Sequence, residues 1–188
     1  MGFRYLDIEE NFFLNDTSFP SAGTVTVRDN FLTKNHFYGI QLGAKAEAQY
    51  ARFLLDISAS IAVGSNHELL KISGNTDFNG RFLQNFGLFS EPTNLGTHTN
   101  DILAIVPELR VKLKFALTQQ IQPFLTDNGF YMNHVLRPGN VIDRTINTSQ
   151  NPLIGETGTL IGLPAPLAQF NNTSLWMQGI SAEIGFFW

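Results

Sequence analysis

The stretch Leu103-Ala104-Ile105-Val106-Pro107-Glu108-Leu109-Arg110-Val111-Lys112-Leu113-Lys114-Phe115-Ala116-Leu117 carries the cleanest alternation in the chain. Leu103, Ile105, Leu109, Val111, Leu113, Phe115 and Leu117 share one side, while Glu108, Arg110, Lys112 and Lys114 share the other. A helix would scatter these positions around its axis, whereas a strand sorts them onto two faces, so period two over this length predicts a long β-strand. Pro107 falls on the apolar side, where it has no N–H for the ladder, which predicts a bulge or local break there.

Working outward, the same pattern recurs. His36, Tyr38, Ile40, Leu42, Ala44, Ala46 and Ala48 alternate with Phe37, Gly39, Gln41, Gly43, Lys45 and Glu47. After a polar turn at 49–51, Phe53, Leu55, Ile57, Ala59, Ile61 and Val63 oppose Arg52, Leu54, Asp56, Ser58, Ser60 and Ala62, a tight antiparallel hairpin. A weaker strand follows near Ile121 to Leu136. The last runs from Ser174 to Trp188, with Trp176, Ile180, Ala182, Ile184, Phe186 and Trp188 on one face, Glu183 on the other and Gln178 as the one misfit. With a first strand from about Gly2 to Leu14, about six long strands are predicted, each sufficient for the roughly 9 to 11 residues that a tilted transmembrane strand requires.

The connections alternate in length. Those at 49–51 and 118–120 are minimal, while 15–30, 67–100 and 137–173 are long and rich in Asn, Thr, Gly and Pro. Structureless loops of that length are rare in compact soluble domains, but membrane barrels have short turns at one rim and long loops at the other. The predicted fold is all-β, an antiparallel up-and-down transmembrane barrel, with 1–188 as one domain. Six strands fall short of the eight of the smallest single-chain membrane barrels, and an open edge in lipid leaves unpaired backbone groups. Further N-terminal strands of a larger barrel are therefore expected upstream. Met1 to Asp7 also lacks the basic and apolar regions of a signal peptide, so either export information lies upstream or the protein is cytosolic.

Composition agrees with this reading and narrows the function. Of the residues, 15% are charged and 12% aromatic, with 17 Phe, 16 Gly and no Cys. A formal charge of −4 without a Lys/Arg run removes the footprint of nucleic-acid binding. Mean hydropathy of −0.02 is what alternation produces, because lumen-facing residues dilute the lipid-facing ones. His36, His67, His98 and His134 stand singly, without metal-ligand spacing. There is no phosphate loop, nucleophile elbow or dinucleotide fingerprint. No catalytic residue, metal or cofactor is assigned. The four Asn-x-Ser/Thr sequons, at Asn15, Asn147, Asn171 and Asn172, read as loop composition, and Arg137-Pro138-Gly139-Asn140 reads as a turn.

Two sets of candidate residues follow from the face assignment. Lys45, Glu47, Asp56, Glu108, Arg110, Lys112, Lys114 and Glu183 are expected to line the lumen, either biasing solute passage or pairing across strands to fill a plugged interior. Tyr38, Trp176, Phe186 and Trp188 are expected at the membrane interfaces, where amphipathic rings are favoured.

Several segments resemble the putative beta-barrel porin-7 family. These are Gly2-Phe3-Arg4-Tyr5-Leu6-Asp7, Phe37-Tyr38-Gly39 with Gln41-Leu42-Gly43, Val106-Pro107-Glu108-Leu109, Val135 to Asp143 around Arg137-Pro138-Gly139, and Trp176 with Gln178-Gly179-Ile180. The resemblance implies a Gram-negative outer-membrane barrel of the cell envelope, whose full-length members carry a signal peptide and further strands upstream. It transfers no ligand residue. Members carry a Gly/Tyr-rich strand before the Arg-Pro-Gly loop, whereas Leu125-Thr126-Asp127-Asn128-Gly129 puts Asp127 on a face with Leu125 and Tyr131. The expected partners are outer-membrane lipid, the barrel-assembly machinery through the C-terminal strand, and small solutes. The competing reading is a soluble β-barrel that holds a small apolar ligand, with the alternation inverted so that the Leu109, Val111 and Leu113 face points inward.

Overall fold

The computed structural model describes residues 1–118, 120–151 and 158–186. Among these residues seven strands form one antiparallel sheet: β1 (Gly2–Ser18), β2 (Val25–Tyr50), β3 (Phe53–Phe78), β4 (Arg81–Gln84), β5 (Gly96–Phe115), β6 (Ile121–Leu136) and β7 (Asn172–Phe186). Their order is β1-β2-β3-β5-β6-β7, with the short β4 paired to the end of β3. The only helical pieces described are a single turn, α1 (Pro138–Val141), and a 3-10 turn (Thr148–Gln150).

Among the described residues six long strands are present, as the alternation predicts, but β1, β2, β3 and β5 outrun it. β2 and β3 are 26 residues each and stay in register from Tyr50 opposite Phe53 to Val25 opposite Phe78. β1 runs to Ser18. The long connections expected at 15–30 and 67–100 therefore contract to 19–24 and to 85–95 beyond β4. These upper segments carry polar residues on both faces, which hides the period although the ladder continues.

The sheet is curled into a half-barrel. β2 and β6 are separated by β3 and β5, so in a flat sheet they would lie about 14 Å apart at the usual strand spacing. Yet Asn35 on β2 donates from Nδ2 to the Leu136 carbonyl on β6 at 2.9 Å. The concave face is thus the one bearing Phe31, Phe37, Leu70, Ala104 and Met132, all buried. Small residues permit close packing there. A Cβ at Gly64 would run into the Tyr38 carbonyl and the Gly39 Cα, and one at Gly39 would run into the Phe37 ring.

The break expected at Pro107 occurs on one side only. Toward β3 the register passes Ile61 opposite Pro107 without a shift. Toward β6 the pairing runs from Lys114 opposite Phe124 to Glu108 opposite Phe130 and goes no further. Beyond it, β6 side chains take over: Asn133 Oδ1 accepts from the Ile105 N–H at 2.8 Å, and His134 Nδ1 lies 2.9 Å from the Leu103 carbonyl. A register shift between Met132 and Val135 in the β6–β7 pair lies at the same level.

Candidate functional site

The concave face divides into two zones. The zone nearest the long loops is filled. Segment 85–95 folds onto it because the Asp29 carboxylate accepts from three successive backbone N–H groups, Leu88 at 3.2 Å, Phe89 at 3.1 Å and Ser90 at 2.8 Å. Close approach is possible because position 87 is glycine; a Cβ there would meet the Asp29 carboxylate and the Arg28 carbonyl. Phe31, Leu70, Ile72, Leu136 and Val141 form a core beneath the loops, joined by Phe89, Leu95, Ile142, Ala168 and Phe170. The β6–β7 connection is tied to itself by Asp143, which accepts from the N–H groups of Thr145 and Leu167, each at 2.9 Å. These hydrogen bonds outweigh the effect of burial and hold the Asp143 carboxyl below its usual range. Thr93 Oγ1 donates to the Pro166 carbonyl at 2.8 Å, joining the two loops.

Beneath this cap lies a buried amide network. Asn35 accepts from the Leu136 N–H at 2.8 Å in addition to its bond to the Leu136 carbonyl, so one side chain serves both backbone groups of a residue on a distant strand. Asn66 donates to Asn35 at 3.0 Å and to the His134 carbonyl at 3.1 Å. Glu68 accepts from Asn100 at 2.9 Å. At the rim, Arg137 makes a two-pronged pair with Glu10 on β1, Nε to Oε2 at 2.9 Å and Nη2 to Oε1 at 2.6 Å. Glu10 holds the guanidinium and raises its affinity for the proton. Arg137 is thus a strut, a role its turn motif did not reveal.

The zone nearest the short turns is open and polar. All eight charged residues singled out in the sequence lie on the concave side: Lys45 and Glu47 on β2, Asp56 on β3, Glu108, Arg110, Lys112 and Lys114 on β5, and Glu183 on β7. Lys45 pairs with Glu47 at 2.6 Å and Asp56 at 3.0 Å. Glu108 pairs with Arg4 on β1 at 3.0 Å, a partner the sequence pattern did not single out. Arg110 Nε donates to Ser58 Oγ at 3.3 Å, and the Lys112 ammonium sits 3.6 Å from the centre of the Phe124 ring. Glu183 accepts from Ser181 at 3.4 Å. Part of this zone is a cavity of about 480 Å³ that Arg4, Gln41, Lys45, Ser58, Glu108 and Arg110 help to line.

The convex face is apolar through its middle. Ile40, Leu42, Ile61, Val63, Leu103, Ile180 and Ile184 are exposed there. Leu109 and Leu113 are 50% and 41% exposed, opposite to what a soluble barrel with this face inward requires. Tyr38 lies on this side against Tyr5, with ring centroids 5.1 Å apart, and Trp176 and Phe186 are also here. Trp188 lies outside the described residues. Above the tyrosines the register forms a polar row of Asp7, His36, His67 and Asp101, with His36 Nδ1 3.3 Å from Asp7 and His67 Nδ1 2.8 Å from Asp101. Among the described residues, no group of three or more His, Cys, Asp or Glu is placed to hold a metal ion.

Comparison with known proteins agrees with this architecture. No curated protein and no solved structure matches the chain. A family model described as putative beta barrel porin-7 (BBP7) matches residues 1–188, over the half-barrel, its struts and its capping loops together. With its antiparallel, curled sheet, the chain belongs to the putative beta barrel porin-7 family.

Proposed function

We propose that the protein is an outer-membrane barrel of porin-like build, embedded by its convex face, with its short turns toward the periplasm and its long loops outside. The observation that carries this is the exposed apolar band. On β2 it spans positions 38 to 50, with tyrosine at both ends. At about 3.3 Å per residue and a tilt near 45°, that length gives a height of about 28 Å, close to the apolar thickness of a bilayer. Contiguous exposed apolar surface on this scale is a liability in water and a requirement in lipid.

In this reading the concave charges face water in the lumen, and Tyr38, Trp176 and Phe186 sit where rings meet headgroups. The inward-folded loops narrow or close the outer mouth, leaving a vestibule on the turn side. The role is structural or transport-related, with no catalytic step. Assembly into the membrane would engage the barrel-assembly machinery through the C-terminal strand.

The test is whether the protein fractionates with outer membranes, migrates differently before and after heating, and passes current in planar bilayers. Membrane residence with current supports a pore, and membrane residence without current supports a plugged barrel. A monomer soluble without detergent would overturn the proposal and favour the soluble ligand-binding barrel.

A further inference from the structure

We propose that the turn-side vestibule binds small anionic solutes, carboxylates or phosphates, through a ladder of three cations, Arg110, Lys112 and Lys114. The inference rests on the barrel reading above, since water must reach this face, and it goes further by naming the class of solute.

The three residues occupy successive concave positions of β5, so their Cα atoms are roughly 6.6 to 7 Å apart along one strand. None of them forms an ion pair among the described residues. The carboxylates that face the same zone are mostly engaged elsewhere. Glu108 is held by Arg4 from across the sheet, and Glu47 and Asp56 both by Lys45. Asp56 stands directly opposite Lys112 in the register, yet its ion pair is with Lys45. Glu183, one strand beyond Phe124, accepts from Ser181 and, among the described residues, has no cation partner. With three of these four carboxylates held by Arg4 and Lys45, the three cations of β5 outnumber the single carboxylate left free to offset them.

The surroundings suit an anion. At the Arg110 end of the ladder, Gln41, Ser58, Ser60 and Asn128 supply neutral hydrogen-bonding groups in the cavity that Arg110 lines. Arg4 Nε is buried there without a hydrogen-bond partner, a donor left over from its pair with Glu108. Lys112 is steadied by the Phe124 ring, which positions its ammonium without neutralising it. Cations spaced along a strand offer several weak sites rather than one deep one, the arrangement that lets an ion enter and also leave.

The experiment places the protein in phosphatidylcholine nanodiscs at low salt and titrates inorganic pyrophosphate by calorimetry. Binding is expected, weakening as salt rises. The triple variant R110Q/K112Q/K114Q is expected to bind at least about tenfold more weakly, on the sum of three modest charge contributions. Single variants K112Q and K114Q should each give part of the loss, which keeps the test informative if the triple variant fails to assemble. K71Q, on the convex face of β3 opposite Leu32 and Thr97 and so outside the vestibule, should bind as the wild type does. Absence of pyrophosphate binding, or binding that the triple variant leaves unchanged, overturns the proposal. Reversal potentials in a KCl gradient separate this site from the pore. Pyrophosphate binding without current upholds the site and removes conduction, whereas cation-preferring current without pyrophosphate binding does the opposite.

Discussion

Arg4 on β1 and Glu108 on β5 form an ion pair at 3.0 Å although β2 and β3 lie between their strands. Such a reach is available only across the hollow of a curled sheet. With Asn35–Leu136, Asn66–His134 and Glu10–Arg137 it belongs to a set of struts joining distant strands over the concave side. The pair is partly exposed, so its contribution is modest. A double-mutant cycle with R4A and E108A, followed by urea unfolding in lipid vesicles, should give a coupling of about 1 kcal/mol. A coupling near zero would mean that curvature is set without this strut.

Asn35 should matter more. It is buried, and its amide satisfies both backbone groups of Leu136, which is itself buried. N35A is expected to destabilise the protein by about 2 to 4 kcal/mol, because two buried backbone groups lose their partner. Hydrogen exchange at the Leu136 amide should accelerate with it. Unfolding that shifts without faster exchange at Leu136 would place the cost elsewhere in the network.

Asp127 and Gln178 show where sequence reading succeeds and where it stops. Both break the apolar pattern of the convex face, Asp127 beside Leu125 and Tyr131, Gln178 among Trp176 and Ile180. Each looks like a defect in its own strand. In the sheet they meet, since Gln178 lies opposite Gly129 and its Nε2 donates to both Asp127 oxygens at 3.0 and 3.1 Å. Strand identity and face are legible because period two is local information. Partnership is not, because it depends on register between strands whose connection, 137–171, has no periodicity to measure. The capping loops were missed as an interior filling for a similar reason. Asp29, Asn35, Asn66 and Glu68 occupy concave positions, but they sit where the convex residues also turn polar, so nothing in the alternation marks them as buried.

If the convex face is in lipid, this pair should be strongly non-additive. Q178L leaves the Asp127 carboxylate alone in an apolar setting and should destabilise the barrel by about 2 kcal/mol or more, whereas D127L/Q178L should recover most or all of that loss. Vesicle refolding of the two variants provides the comparison. Equal losses in both would indicate that this part of the surface is not in contact with hydrocarbon.

The loop cap should respond to pH through Glu91. This residue is fully buried in segment 85–95, neither carboxyl oxygen has a hydrogen-bond partner, and burial followed by the nearby Asp29 charge pushes its pKa up to about 7. In a released loop the same group titrates near 4.5. Below that value both states are protonated, and the packed loop is at its most stable. Between 4.5 and 7 the packed loop retains a proton that the released one has lost, so packing weakens steadily as pH rises. The change levels off above 7 at about 3 kcal/mol. Hydrogen exchange at the Leu88, Phe89 and Ser90 amides, corrected for its intrinsic pH dependence, should therefore report greater protection at pH 5 than at pH 8. E91Q should abolish the difference, because its side chain carries no proton to lose. Protection that stays constant from pH 5 to 8 in the wild type would mean that Glu91 acquires a partner or solvent when the loop closes, and that the cap is held by Asp29 and the apolar core alone.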